Sequence, residues 1–203
     1  MERRLIPSPR SLDDVKVISR KTIGQGWGKI ERFIFRHIRY DGEWSDEITR
    51  DLYTIGEVSM ILPYDPILDA VVLVEQFRTC GLYWGDATWL FEAVAGMIDP
   101  GETPPDVAMR EAVEEANCVI TAPVHIATVY SSPGGYGERT HMYAGRADLS
   151  RAGGIHGLAH EHEDIRAVCV PLSEAYAATT DGRIRDAKTM LMIQWVMNNK
   201  AKL

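Results

Sequence analysis

The stretch from Gly96 to Cys118, GMIDPGETPPDVAMREAVEEANC, constrains this chain more than any other. It holds six carboxylates between Asp99 and Glu115, three of them crowded around one arginine as REAVEE. It also carries the punctuation of a single helix. Thr103 is a good N-cap, Pro104 fits the first helical position, and Asp106 completes something close to a capping box. Asn117 stands where a left-handed residue closes a helix, so the pattern predicts a helix over 104–116. On that helix Glu111, Glu114 and Glu115 share one edge, and Arg110 sits four residues before Glu114. Like charges at such spacing repel by about 0.2–0.5 kcal/mol per pair. The array is a poor structural choice unless a cation rests on it, and hard carboxylate oxygens suit Mg²⁺ or Mn²⁺. The plain alternative is a solvated acidic helix face, which is common in Glu-rich helices.

Charge and cysteine content narrow the classes. The net charge of -7 argues against nonspecific binding to nucleic acid. An anionic substrate would then have to be attracted by something other than overall charge, and a divalent cation would serve. Cys80, Cys118 and Cys169 are odd in number, far apart, and form no C-x-x-C pair. A disulfide framework and a structural zinc site are both disfavoured, and a reducing cytosol fits. The start MERRLIPSPR lacks an apolar core, and no stretch approaches a membrane span. A soluble cytoplasmic protein with no membrane partner is the expectation.

The 203 residues suit one large domain with a small appendage. Residues 1–14 read as a loose tail. Strand character marks 15–23, 30–40 and 47–53, with Asp41-Gly42 as a hairpin turn signal. These pieces predict a thin antiparallel sheet over residues 1–56, followed by the main domain over 57–203. In the main domain, strands are expected at 57–62, 70–77, 89–95, 125–130, 140–147 and 165–170. Two short helices at 173–180 and 186–199 close the chain. Residues 145–163 read as a long polar loop rich in Gly and His, a length often tied to function.

The 96–118 stretch resembles the Nudix box of the Nudix hydrolase superfamily. Gly96, Glu102, Arg110, Glu111, Ala112, Glu114, Glu115 and Cys118 fall at the matching places. Asn117 replaces the family's last glycine, and Asn is the residue type best able to take a left-handed backbone in its stead. The resemblance implies an α/β (α+β) Nudix fold, a mixed sheet sandwiched between helices. It implies a metal cradle for a diphosphate, with two or three Mg²⁺ ions for which Mn²⁺ can substitute. Glu111, Glu115 and the backbone carbonyl of Ala95 would be ligands, Glu114 would ligate or support, and Arg110 would orient Glu111. Glu102 would brace the loop, either through Arg110 or through an indirect contact to the metal ligands.

Outside the box the likeness runs from residue 15 to 198 and points to the bacterial ADP-ribose pyrophosphatase group, tellurite-resistance-associated members included. Pro133, within SSPGG, stands 16 positions after Asn117, the spacing that marks that group. In the loop GIHGLAHEHEDI, Glu161 matches the catalytic base and Glu163 a further metal ligand. A zinc site built on His156, His160 and His162, or a plain solvated loop, are the competing readings of that segment. Arg78 ends a strand as a phosphate contact, and its alternative is a surface salt bridge. Trp27, with Gly28 beside it in GQGWGK, is placed to stack on adenine; Arg50 and Asp51 match substrate positions. Ser132, Gly134 and Glu138 match contacts to the distal ribose, and Met97 lies by the site. In the family the residue at the Trp27 position reaches the partner's site, which implies a domain-swapped homodimer. The expected reaction is hydrolysis of ADP-ribose to AMP and ribose 5-phosphate. A related GDP-mannose hydrolase, or a non-catalytic ADP-ribose sensor, are the alternatives.

Overall fold

Three strands open the chain in the computed structural model, which describes residues 10–158 and 162–203. They are β1 (Val15–Gln25), β2 (Lys29–His37) and β3 (Ile48–Thr54), joined as an antiparallel meander. A short 3-10 turn at Leu12–Asp14 precedes them and is closed by a capping box on Ser11. The chain from residue 10 to Ile55, together with Ser132–Glu138, forms one compact unit. Tyr53 pairs with Tyr136 in it, and their rings stack with centroids 5.8 Å apart. Two faces of a three-stranded sheet cannot both be covered by so little chain. Val15, Val17, Ile18, Ile23 and Ile30 accordingly remain exposed.

The second unit comprises Gly56–Ser131 and Arg139–Leu203. Its elements are β4 (Glu57–Asp65), β5 (Ala70–Phe77), α1 (Cys80–Trp84), β6 (Trp89–Glu92), β7 (Val94–Met97) and α2 (Pro104–Ala116). They continue as β8 (Val124–Ser132) and β9 (Tyr136–Arg146), of which Ser132 and Tyr136–Glu138 belong to the first unit, then β10 (Gly154–His156), β11 (Ile165–Pro171), α3 (Leu172–Ala178) and α4 (Ala187–Asn199). Strand β4 runs parallel to β9, and β5 runs antiparallel to β11, which in turn pairs with β10. The sheet is therefore mixed. β4 is buried from Val58 to Asp65 and β5 from Ala70 to Val74, so neither stretch shows the alternation of a half-exposed strand.

One feature of this sheet positions the site. β4 and β5 pair only at Tyr64↔Val71 and Asp65↔Ala70. Beyond that they splay, and β6 and β7 fill the gap: β6 lies on β5, while β7 lies on β4. The single strand expected over 89–95 is thus two strands with a break at Ala93. The loop expected over 145–163 contains β10, and α1 had no counterpart in the sequence reading. Five residues are too short to show a period, and β10 exists only because β11 offers it an edge. Among the described residues no helix is long and apolar enough to cross a membrane.

Candidate active site

Helix α2 runs over Pro104–Ala116, as its caps predict, and Asn117 closes it at φ 52° in the left-handed region. The N-terminal cap differs from expectation. Thr103 has the extended backbone of a cap residue, but its hydroxyl donates to the Asp106 carboxylate and accepts no helix N–H. Ser59 in β4 instead ties the first turn down by donating to the Pro104 carbonyl at 2.6 Å. Val107, Ala108, Ala112 and Ala116 are buried on the inner face, the last three among a cluster with Ile61, Val74 and Val94. Burying that face turns the carboxylate edge toward β7.

The contacts along that edge are close. Arg110 donates to Glu114 at 2.8 Å, to Glu111 at 2.9 Å and to Glu102 at 3.2 Å, so one guanidinium gathers three carboxylates. Glu102 also accepts from the Asp99 N–H at 3.0 Å, which fastens the loop before the helix. Glu115 is only 2% exposed and accepts the Ala95 N–H at 3.2 Å. Gly96 faces Glu111 so closely that a Cβ there would collide with the carboxylate. That contact, not a backbone angle, explains the glycine that opens the motif.

Burial pushes the Glu115 carboxyl up to about 8, and the charges of Glu111 and Glu163 push the same way against the Ala95 N–H and Arg78. Burial likewise lifts Glu111 to about 7, with Glu114 and Glu163 adding to it and Arg110 opposing. These carboxylates lack enough positive charge around them. Among the described residues no group of three or more His, Cys, Asp or Glu closes on one point. The donor chemistry nonetheless fits a hard divalent cation, since Glu111 and Glu115 are crowded, buried carboxylate oxygens along β7.

Glu163 approaches through β10 and its following loop. Its carboxylate accepts the Leu158 N–H at 3.1 Å, and Gly157, at φ 102°, lies where a Cβ would press on the Glu163 Cβ and backbone. His156 is held by the Gly153 carbonyl at 2.9 Å and His162 takes a left-handed backbone at φ 59°. Glu161 and His160 lie outside the described residues. Arg78, half-buried at the end of β5, donates bidentately to Glu92 at 2.9 and 2.8 Å. Arg78 also feels the charge of Glu115, so it stands beside the cradle with its orientation fixed. Met97 ends β7 and is exposed.

The remaining expected site residues lie in the first unit. Trp27 is 77% exposed at the β1–β2 turn, and Gly28 packs against the Tyr53 ring. A cavity of about 310 Å³ brings Arg50, Asp51, Pro133 and Gly134 together over an apolar floor of Val15, Val17, Phe33 and Phe35. Asp51 is held bidentately by Arg32 at 2.7 Å. Glu138 is buried and accepts the Tyr136 hydroxyl at 2.9 Å, while Ser132 is exposed.

Glu92 and Thr189 were not singled out from sequence. Glu92 had a signal, a lone acid in the apolar run WLFEAVA. Thr189 had none, because its partner is the backbone of Ala93, 96 positions away.

Residues 57–192 match the model of the NUDIX domain. The chain belongs to the Nudix family, and its mixed sheet with helices is the Nudix fold. The ADP-ribose pyrophosphatase of Escherichia coli (strain K12) is 38% identical over 191 residues, covering 94% of this chain and 91% of that protein. The GDP-mannose pyrophosphatase of Pectobacterium atrosepticum is 32% identical over 185 residues, covering 89% and 92%. A crystal structure of an ADP compounds hydrolase matches with a TM-score of 0.67 at 17% identity, over 93% of this chain and 97% of that one, which supports the fold.

Proposed function

We propose that this Nudix enzyme hydrolyses the diphosphate of ADP-ribose to AMP and ribose 5-phosphate. The observation that carries the reading is the packing of two carboxylates on β7, Glu115 buried against the Ala95 N–H and Glu111 against Gly96, which lifts them to about 8 and about 7. Nudix hydrolases generally use divalent metal ions, and here two or three Mg²⁺ ions, replaceable by Mn²⁺, would be held by Glu111, Glu115, Glu163 and the Ala95 carbonyl. When bound, the ions supply charge neutralisation at the diphosphate and a water acidified for attack.

The chain's own groups do the rest. Glu161 takes the proton of the water that attacks the adenosyl phosphorus. Arg110 holds Glu111 and Glu114 in place, and Glu114 supports the ion seat. Arg78, aimed by Glu92, meets the diphosphate with a planar guanidinium. Ser132, Pro133, Gly134 and Glu138 serve the distal ribose, and Met97 borders the site. The domain over residues 1–56 acts in dimerisation. Its exposed Val15, Val17, Ile23 and Ile30 support a domain-swapped homodimer, in which Trp27 stacks on the adenine of the partner's site with Gly28, Arg50 and Asp51 around it. The three free cysteines support a cytoplasmic setting.

The choice of ADP-ribose rests on relatives of that activity at 38% identity and on SSPGG. GDP-mannose is the second reading, supported by relatives at 32% identity. The test is phosphate release, coupled to phosphatase, across nucleoside diphosphate sugars with Mg²⁺, with Mn²⁺ and with EDTA. ADP-ribose should be turned over fastest, and EDTA should abolish release. A higher kcat/KM on GDP-mannose would overturn the substrate assignment.

A further inference from the structure

Ala93 is the point at which the chain leaves one ladder and joins another. Before it, Glu92 pairs with Val74 of β5; after it, Val94 pairs with Ile61 of β4. Ala93 itself belongs to neither strand and is fully buried. A buried backbone N–H needs a partner, and no ladder supplies one here. The partner is Thr189 on the first turn of α4, whose Oγ1 accepts the Ala93 N–H at 2.8 Å.

Thr189 is itself fully buried and rigidly oriented. Its hydroxyl donates to Asp186 Oδ2 at 2.7 Å, and the same carboxylate oxygen caps the helix by accepting the Thr189 N–H at 2.8 Å. The hydroxyl proton is therefore committed to Asp186, which leaves an oxygen lone pair facing Ala93. Met192, Ile193 and Val196 bury the next turns of α4 and give this bond a fixed base.

The two neighbours of the junction both belong to the cradle. Glu92, one residue before, grips Arg78 through two hydrogen bonds. Ala95, two residues after, gives its N–H to Glu115. A displacement of Ala93 would be felt at both. We propose that Thr189, oriented by Asp186, is a positioning residue for the active site. Its bond to Ala93 sets the height of the β6–β7 junction, and thereby places Ala95 against Glu115 and Glu92 against Arg78.

The activity arm of the test rests on the hydrolase reading above; the metal arm does not. Thr189→Val keeps the shape and removes the acceptor, Thr189→Cys leaves a weak one, and Thr189→Ser restores it. Mn²⁺ binding to the substrate-free protein is followed by electron paramagnetic resonance, beside kcat and KM for ADP-ribose at saturating metal. Groups that orient ligands typically contribute 10–100-fold, so Thr189→Val should weaken Mn²⁺ binding and lower kcat by about 10-fold or more, with KM nearly unchanged. Thr189→Ser should recover both. A Thr189→Val protein that only melts earlier, with wild-type Mn²⁺ affinity and kcat, overturns the inference. Should Thr189→Val fail to fold, Thr189→Cys decides, and wild-type values in it count against the proposal. Wild-type protein that binds Mn²⁺ but leaves ADP-ribose intact refutes the substrate reading, while the Mn²⁺ series still tests Thr189.

Discussion

Glu31 and Glu115 are equally hidden, 3% and 2% exposed, yet the protein treats them in opposite ways. Glu31, on β2 of the N-terminal sheet, accepts from Arg20 and from the Thr22 hydroxyl at 3.0 Å each, and Lys29 lies 3.2 Å away. Those partners hold its carboxyl down at about 2. Glu115 has a single backbone N–H at 3.2 Å and acidic neighbours, and its carboxyl rises to about 8. Low exposure is common to both, but Glu31 is covered by its own hydrogen-bonding partners, whereas Glu115 lies deep enough for desolvation to be the first cause of its rise. The charge placed around each differs too: Glu31 has a full set of donors, while Glu115 is left short of positive charge, as the proposed cation seat requires. Composition could not have told them apart.

The largest expected effect falls on Glu115. Glu115→Gln preserves size and removes the unmatched charge, so kcat on ADP-ribose should fall by at least about 10²-fold while the fold survives. Near-normal turnover in a folded variant would erase the contrast with Glu31. A second measure of the same contrast is the proposed exchange between subunits. Trp27→Ala should raise KM for ADP-ribose at a cost of about 1–3 kcal/mol, the range for base–aromatic stacking. Mixing a Trp27→Ala, Arg50→Ala double variant with Glu115→Gln should recover activity, because one heterodimer site would then be intact. No recovery after verified subunit exchange would assign Trp27 to its own chain's surface.

The pH dependence of stability sharpens the comparison further. Glu111 and Glu115 have folded values near 7 and 8 against an ordinary 4.5, so the folded metal-free protein holds extra protons between about 4.5 and 8. Stability must then fall as pH rises through that window. Glu31 works in the opposite sense: its contribution is full above about 4.5 and is lost as pH falls toward 2. Melting curves in EDTA should therefore decline from pH 5 to pH 8.5, and saturating Mg²⁺ should flatten the decline. A slope that is the same in Glu115→Gln and in wild type would remove Glu115 as its source.

The smallest effect on catalysis is expected at Glu31. Glu31→Gln should leave kcat within about twofold, the range of a change that touches no transition-state contact, while lowering the melting temperature. A large loss of kcat at wild-type stability would show that the N-terminal ion cluster reaches the chemistry.

The helix over 104–116, its left-handed closure at Asn117 and the shared edge of Glu111, Glu114 and Glu115 were all legible in the sequence. They follow from caps and a 3.6-residue period, which are local properties of the chain. The strands also showed, as alternating or continuous apolar runs. Thr103 misled, because a hydroxyl placed for capping has a nearer acceptor in Asp106. What only the tertiary structure decided is which groups are paired across long separations. The splay of β4 from β5 breaks the run WLFEAVA at Ala93 and leaves an N–H for Thr189. Packing of α2 buries Glu115 and draws Glu111 against Gly96, while two of the three donors around Glu31, Arg20 and Thr22, come from the neighbouring strand β1. Charge balance and backbone pairing depend on residues brought together by folding, and no spacing along the chain encodes them.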